Sequence, residues 1–546
     1  MNRNVFVAAL VLFAACKEKK NANGEPVSII KRVEQEKNAK RAPVLGKRVL
    51  EGDVQELRGA PDGSFVTVLL DAVKPTINGV PPPMRQGALW LVPTGAGAPR
   101  KLGNGVVNTP GGWLISQDSR WVLFSGGYDP QQATGELFVQ DAKNPEAERQ
   151  RLSPRASYFV PSDDGSMVAF IEGGVLHAGK LPDGPFPQLA GDVSTAEFSA
   201  DAKYLYFRRK LAAAGGLYQL DLSQARPEPK RLLDQVTEFT VLHSGKHVVV
   251  NARATPSAST TELHVFDVKT LKGTRLSEDA VRYRISRDGQ FIAWRNNPRE
   301  NDVGELTLAR IDGSNPKVLG KQVKDFDFSP DGTRFLFRDN YAEVPRMGAE
   351  ASRGEALVAK VADLMLLEMK DGAEAKRLVR QSENFTFAPS GGALAFTARI
   401  DRPEVTRRLY LYPVGATEPR ALVDWLYEYR FSEAGDRLFY RSGCLREGRA
   451  CELNSISATP TAEEKPKKES DGVYTFRLTT DASRALIASA HLTDLTYDIA
   501  MRTFATGQQT IIDQYVEWPA LLLSNGAVAY LVKEKSRPGL YVATGL

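Results

Sequence analysis

Two of the three cysteines in this 546-residue chain lie close together in the sequence. Cys444 and Cys451 bracket the segment CLREGRAC. Outside the cytoplasm, two thiols at this spacing form a disulfide across a hairpin loop. In the chain-entropy description, so short a ring contributes roughly 2–3 kcal/mol. A metal pair is less favoured, because no histidine lies near these cysteines. The sequence therefore predicts a Cys444–Cys451 disulfide if the chain is exported.

Other patterns that support catalysis or metal binding are weak or missing. The sequence contains no Gly-x-Ser-x-Gly nucleophile motif and no His-Glu-x-x-His motif. The segment GAGAPRKL lacks the Ser or Thr after lysine that would contact magnesium in a phosphate-binding loop. His243 and His247 straddle a predicted hairpin turn, so they do not share a face that could hold zinc. We therefore expect no enzymatic activity, no cofactor and no metal.

The first sixteen residues have the composition of an export signal. MNRN carries one positive charge, and VFVAALVLFAA is an apolar run of eleven residues that ends just before Cys16. Such a run is too short to span a bilayer, which takes about 20 residues. A short charged start and small residues before the cleavage point are typical of a secretory signal peptide. We expect residues 1–15 to be that peptide.

The stretch LFAAC resembles the box of bacterial lipoproteins, although Phe13 stands where that box usually has leucine. The resemblance implies that Cys16 is acylated, with palmitate among its chains, and becomes the mature N-terminus. Two or three chains would anchor the protein stably, since each buried methylene contributes about 0.8 kcal/mol. By the same resemblance, Lys17 suggests the outer membrane with the protein facing the periplasm. Inner-membrane anchoring and surface exposure stay open.

The positive charge of the chain is concentrated before its folded part. Residues 17–48 hold ten Lys or Arg and four Glu, whereas the body from residue 49 holds 60 basic and 62 acidic residues. We therefore predict that residues 16–48 are the lipidated cysteine followed by a flexible basic tether. A near-neutral body argues against nucleic acid as a partner. Because no second long apolar run occurs, we expect membrane contact through the N-terminal lipid only.

One short pattern, exemplified by FSPDGTRFLF at 328–337, returns along the chain. Its turn residue recurs at intervals of 37 to 59 residues. A second pattern such as LYLY at 409 follows eight of the eleven turns, and a short R-x-L-like stretch usually comes next. The eleven turn markers are Asp62, Asp118, Asp164, Asp201, Ser244, Asp288, Asp331, Ser390, Ala434, Asp481 and Asn525. Self-similarity at about 45 residues indicates a repeat architecture.

Each repeat has room for four short strands that alternate apolar and polar residues. Asp-Gly suits the positive backbone dihedrals of tight hairpin turns, so the recurrent aspartates are expected to be architectural. Four antiparallel strands repeated around an axis are the signature of a β-propeller. Over residues ~50–546 the pattern resembles the propeller repeat of the TolB family, periplasmic components of the Tol–Pal envelope system. The fold class is therefore all-β, with propeller blades of four antiparallel strands.

Eleven blades exceed the four to eight that a single ring usually holds. We therefore expect two tandem rings, with about six blades over residues 49–320 and about five over 321–546. A seven-plus-four division and one outsized ring are the alternatives. The final repeat ends after GLYVATGL, so its outer strand must come from elsewhere. The segment GKRVLEG, or the junction between the rings, could supply that strand.

Connections between the second and third strands open on one face of a propeller, where binding is often placed. The segments 71–87 and 338–362 are the longest of them, and the Cys444–Cys451 hairpin is another. Arginines in these connections could form a solvated rim. Because arginine forks bind carboxylates, the same residues are also candidates for docking an acidic protein segment or an envelope polymer. The candidates are Arg399, Arg402, Arg407, Arg408, Arg441, Arg446 and Arg449.

The function expected from the sequence is a non-catalytic envelope lipoprotein that binds other envelope proteins on its propeller. The TolB-like repeat suggests such partners but does not identify them. The alternative is binding of a small ligand, glycan or peptidoglycan in the channel of the ring. Hydrolase or lyase activity is the least favoured possibility, because the motifs named above are missing.

Overall fold

The structure is a computed structural model that describes most of the chain after residue 43. The described residues are 44–75, 84–144, 146–210, 215–255, 257–299, 302–345, 358–400, 407–444, 450–490, 496–532 and 536–546. Within these ranges, every regular element is a β-strand, numbered β1 to β41 in chain order. Within the same ranges, no helix is long and apolar enough to cross a membrane.

The described strands form eleven blades of four antiparallel strands, so the predicted all-β propeller fold and the repeat count are confirmed. Blade 1 contains β2 (Val54–Gly59), β3 (Phe65–Val73), β4 (Gln86–Pro93) and β5 (Arg100–Val107). Blade 2 contains β6 (Trp113–Ile115), β7 (Trp121–Asp129), β8 (Thr134–Asp141) and the first half of β9 (Gln150–Pro161), and blade 3 contains the second half of β9, β10 (Met167–Glu172), β11 (Val175–Lys180) and β12 (Gln188–Ala190). Blade 4 contains β13 (Val193–Phe198), β14 (Tyr204–Arg209), β15 (Gly216–Asp221) and β16 (Lys230–Asp234). Blade 5 contains β17 (Val236–Val241), β18 (His247–Ala252), β19 (Glu262–Asp267) and β20 (Gly273–Ser277). Blade 6 contains β21 (Arg282–Ile285), β22 (Phe291–Arg299), β23 (Val303–Arg310) and β24 (Lys317–Val323), and blade 7 contains β25 (Phe326–Phe328), β26 (Arg334–Pro345), β27 (Val358–Glu368) and the first half of β28 (Lys376–Phe387). Blade 8 contains the second half of β28, β29 (Ala393–Ala398), β30 (Arg408–Pro413) and β31 (Arg420–Asp424). Blade 9 contains β32 (Leu426–Phe431), β33 (Arg437–Ser442), β34 (Cys451–Ser457) and β35 (Lys467–Val473). Blade 10 contains β36 (Thr475–Leu478), β37 (Arg484–Ala490), β38 (Tyr497–Thr503) and the first half of β39 (Gln509–Leu522). Blade 11 contains the second half of β39, β40 (Val528–Val532), β41 (Gly539–Ala543) and β1 (Lys47–Leu50).

The recurrent turn joins the first and second strands of every blade. In blade 7, the N–H of Gly332 donates to the carbonyl of Ser329 at 2.9 Å, and Gly332 has a φ of 70°. The Asp331 carboxylate accepts from the Ser329 hydroxyl at 2.5 Å and from the Thr333 N–H at 3.1 Å. The residue equivalent to Gly332 has a positive φ in all eleven blades, and it is glycine in eight of them. The recurrent aspartates are thus turn-forming residues, as predicted.

The last blade is completed by the first strand of the described chain. β1 pairs antiparallel with β41, so that Lys47 lies opposite Val542 and Leu50 lies opposite Leu540. The N–H of Leu45 also donates to the carbonyl of Ile512 in blade 10 at 2.9 Å. Of the two segments expected to supply the missing strand, GKRVLEG is the one that does so. Because β1 runs antiparallel to β41, the chain reaches β1 from the side of the ring that carries the recurrent turns.

Buried apolar side chains join each blade to the next, and one such cluster joins blade 11 back to blade 1. At that closing interface, Leu50 and Val66 pack with Leu540. Two polar contacts support it: the Ser524 hydroxyl donates to the carbonyl of Pro61 at 2.8 Å, and the Asn525 amide donates to the carbonyl of Gly63 at 2.7 Å. The described blades therefore pack in one closed circuit.

The expected division into two rings, with a boundary at residue 320, stays a prediction. That boundary falls inside β24, and Val323 of β24 packs with Phe326 and Phe328 of blade 7 like the residues of any other interface. Two rings would require packing of blade 6 on blade 1 and of blade 11 on blade 7, and no cluster of the described residues joins either pair. These contacts favour the third possibility, one outsized ring.

Candidate functional site

A repeated arginine ties blades together at the second strand. Arg208, Arg295 and Arg338 each stand nine residues after the first residue of the recurrent turn. Each guanidinium donates to a backbone carbonyl in, or just before, the first strand of the following blade. Arg208 donates to Thr237, Arg295 donates to Lys324, and Arg338 donates to Ser382 at 2.9 Å. Arg295 and Arg338 are 1% and 5% exposed. These clamps stabilise the ring, and Arg295 spans the junction between blades 6 and 7.

The two faces of the ring differ in their connections. The turn face carries the recurrent turns between first and second strands, from residues 60–64 in blade 1 to 523–527 in blade 11. The opposite loop face carries all connections from second to third strands, because successive strands are antiparallel. The longest of these are residues 74–85 and 346–357, which lie largely or wholly outside the described residues.

The described docking candidates hold contacts within their own chain. Arg399 donates to the carbonyl of Pro345 at 3.4 Å, and Arg407 donates to that of Leu426 at 2.9 Å. Arg408 forms a two-point ion pair with Asp424, which raises the pKa of Arg408. Arg441 is only 8% exposed and donates to Glu428 at 3.0 Å. Docking by these residues stays a prediction.

Four other predicted site residues lie outside the described residues. They are Cys16, Arg402, Arg446 and Arg449. Acylation of Cys16 and the roles of the three arginines therefore stay predictions. Among the described residues, no three His, Cys, Asp or Glu side chains are grouped so that they could hold a metal ion.

The predicted disulfide between Cys444 and Cys451 is present. Cys451 is the first residue of β34 and is fully buried, whereas Cys444 is half-buried before the hairpin. The Nη1 of Arg441 donates to the Cys451 sulfur at 3.4 Å. The bond therefore reaches from a loop-face connection into the packed end of blade 9.

The first strands of the blades form the inner wall of the ring. These strands surround the space inside the ring. Asp327 on β25 faces this space with its side chain 55% exposed, and Arg284 of blade 6 lies 4.0 Å away. Crowding by the surrounding wall nevertheless raises the pKa of Asp327 through desolvation. The wall is thus a concave surface with ionisable side chains.

Glu197 is the most perturbed acid of this wall. It lies on β13 of blade 4, where desolvation raises its pKa to about 7 despite a hydrogen bond from the N–H of Val241 in blade 5. Asp163, in the turn of blade 3, adds a repulsive negative charge. His243 of blade 5 lies 3.7 Å from Asp163, across the turn of blade 4. A carboxyl group with this pKa gains and loses its proton near neutral pH.

Tyrosines connect the inner strands on either side of Glu197. The Tyr158 hydroxyl of blade 3 donates to the carbonyl of Ala196 at 2.8 Å, and the Tyr283 hydroxyl of blade 6 lies 2.9 Å from that of Thr240. Burial raises the pKa of both phenols, and the charge of Glu197 contributes in each case. The arrangement can exchange protons and hydrogen bonds.

Sequence reasoning missed this group, because AEFSAD reads as an ordinary inner strand before a turn. Its perturbation depends on residues of blades 3 and 5, which no local pattern reveals. One available signal was the position two residues before the recurrent turn, where Glu197 is the only glutamate among the eleven repeats.

No protein-family model matches the sequence, and no curated protein matches it significantly. Solved structures do match. The chain is 12% identical to dipeptidyl peptidase 4 of Porphyromonas gingivalis, over 95% of this chain and 68% of that one, with a TM-score of 0.39. It is 12% identical to the tricorn protease over 84% of this chain, with a TM-score of 0.29, and it corresponds to only 53% of that protein's length. An oligogalacturonate lyase in complex with manganese is 14% identical over 62% of this chain and 96% of that one, with a TM-score of 0.30.

The expectation that the chain is not an enzyme must be corrected in the light of these matches. Two of the matching proteins are peptidases and one is a lyase, so a propeller of this kind does not indicate a protein without catalytic activity. Identities and TM-scores this low concern the fold alone and transfer no activity to this chain.

Proposed function

We propose that this protein is a lipid-anchored protein of the bacterial envelope whose propeller ring serves as a binding scaffold for other envelope proteins. The lipoprotein-like start and the TolB-like repeat support the envelope role. The closed ring supports the scaffold role, since rigid elements position binding loops better than mobile ones. The partner would be a polypeptide.

The observation that carries this proposal is the position of β1. The chain reaches β1 from the turn face, and the strand is locked into blade 11 by its pairing with β41. An anchor at Cys16 would therefore pull on the turn face. The loop face, with the long connections 74–85 and 346–357, would then point away from the membrane and be free to meet a partner.

Photo-crosslinking in intact cells tests both parts of the proposal. A photoreactive residue is placed at Val73, which is 68% exposed on the loop face, and a matched one at Ser390 in a turn of the opposite face. We expect a specific protein adduct from position 73 and none of the same kind from position 390. Equal, non-specific adducts from both positions would contradict a loop-face scaffold.

Fractionation of a Cys16→Ser variant tests the anchor separately. The thioether to lipid needs the Cys16 sulfur, so the variant should move from the membrane to the soluble periplasmic fraction. Its circular dichroism spectrum should match that of the delipidated wild type. Retention on salt-washed membranes would show that lipid is not the tether.

A further inference from the structure

The environment of the Cys444–Cys451 disulfide differs between its two sulfur atoms. Cys451 Sγ is fully buried in the end of blade 9, and Cys444 is half-buried on the loop face. A thiolate arriving from solvent can therefore reach Cys444 Sγ more readily than Cys451 Sγ. Attack on one sulfur expels the other, so access alone would make Cys451 the leaving group.

A guanidinium group lies beside the sulfur that would leave. Arg441 Nη1 donates to Cys451 Sγ at 3.4 Å, and Arg441 Nε donates to Glu428 Oε2 at 3.0 Å. Arg430 forms an ion pair with the other oxygen of Glu428. Negative charge that develops on Cys451 Sγ is thus stabilised where it forms.

The other repeat arginines do not have this arrangement. Arg208, Arg295 and Arg338 occupy the equivalent position in blades 4, 6 and 7, where they donate to carbonyls of the next blade. Arg441 also contacts the next blade, since its guanidinium lies 5.8 Å from the ring centre of Tyr474. Blade 9 therefore keeps the clamp and adds a sulfur acceptor to it.

We propose that the Cys444–Cys451 pair is a thiol–disulfide exchange site that takes a cysteine thiol of a partner molecule at Cys444. The partner loses its proton to solvent, and its thiolate forms a bond to Cys444 Sγ. The Cys444–Cys451 bond breaks, and Cys451 leaves as a thiolate beside Arg441. The products are a mixed disulfide at Cys444 and one free thiolate, so no external oxidant or reductant is needed. Arg441 acts as a leaving-group residue, and Glu428 positions it.

This inference does not depend on the proposed scaffold function, and reduced glutathione can serve as the probe. The full chain with its disulfide intact is incubated with glutathione, quenched by acid, and mapped by mass spectrometry. We expect the glutathione adduct on Cys444, and a rate that is first order in glutathione. An adduct on Cys451, equal adducts on both residues, or a rate independent of glutathione would overturn the proposal.

A variant series tests the role of the guanidinium. Arg441→Gln should slow the exchange by about three- to tenfold, because a less stabilised thiolate leaves more slowly. Arg441→Lys should restore part of the rate. Arg338→Gln, at the equivalent position of blade 7, is the matched control and should leave the rate unchanged. An Arg441→Gln protein that folds and exchanges at the wild-type rate would refute the role of Arg441. If that variant does not fold, the site of the adduct in the wild type decides alone.

Discussion

Glu197 allows a sharp test of the inner wall, because its carboxyl group is the wall's most perturbed acid. Its pKa rises from 4.5 to about 7 as the chain folds, chiefly through desolvation. The folded state therefore holds the proton more tightly than the unfolded state. The stability that comes from the neutral carboxyl is fully present below about pH 4.5 and is lost as the pH rises through about 7. Glu197→Gln keeps an acceptor for the Val241 N–H and cannot ionise.

The size of the effect follows from the shift. A pKa change from 4.5 to about 7 corresponds to roughly 3 kcal/mol if it were fully expressed. Glu197 keeps partial contact with solvent, so we expect about 1–2 kcal/mol. For a chain of this size that is a rise in Tm of a few degrees at most. Glu197→Gln should therefore match the wild type near pH 4.5 and be more stable than it above pH 7.

Thermal unfolding at pH 5, 6, 7 and 8 checks this prediction, with hydrogen exchange in β13 and β17 as a local readout. Glu238→Gln removes an exposed carboxylate from the neighbouring inner strand and is the matched control. Its difference from the wild type should be small at every pH. If Glu197→Gln also follows the wild type in parallel from pH 5 to 8, the carboxyl is not desolvated and the account of the inner wall fails.

Three further predictions concern the ring itself. Arg295→Met removes a clamp between blades 6 and 7, and Arg338→Met removes one between blades 7 and 8; each should lower the free energy of unfolding by about 2 kcal/mol. Hydrogen exchange should rise first in β25 for Arg295→Met and in β28 for Arg338→Met. An Arg295→Met protein as stable as the wild type would contradict the clamp between blades 6 and 7. Deletion of residues 1–50 removes β1 and should lower the Tm and expose blades 11 and 1 to exchange, whereas deletion of 17–43 alone should not; equal Tm values for the two deletions would refute closure by β1. Hydrogen bonds from Thr479 and Ser483 lower the pKa of Asp481 to about 2. Asp481→Asn should therefore be less stable than the wild type in denaturant at pH 7, and this difference in stability should shrink as the pH falls from about 4 toward 2. A difference that persists at pH 2 would show that the charge of Asp481 is not responsible.

The blade could be predicted from the sequence because its determinants are local. Asp331 and Gly332 form their turn within five residues, and the same chemistry recurs wherever the turn marker appears. The missing strand of blade 11 could also be predicted, since an incomplete last repeat leaves β41 with an open edge. Local residue types and spacing were sufficient for the turn, whereas they left two candidate segments for the missing strand.

The size of the ring and the inner-wall site could not be predicted in this way. Val323 packs on Phe326 with the same apolar chemistry that joins every other pair of blades, so no residue marks where a circuit closes. The perturbation of Glu197 arises from residues of blades 3 and 5, which approach only after the ring has formed. Likewise, the burial of Arg441 depends on packing rather than on its place in an arginine-rich connection.

The most direct test of the central claim is the number of blades in one closed ring. Cryo-electron microscopy of the purified chain, lipidated or cleaved before residue 44, gives face-on class averages in which blades can be counted. From the contacts between successive blades we expect one ring of eleven blades, with the last blade completed by the N-terminal strand. Averages that show two smaller rings side by side, of about six and five blades, would contradict it.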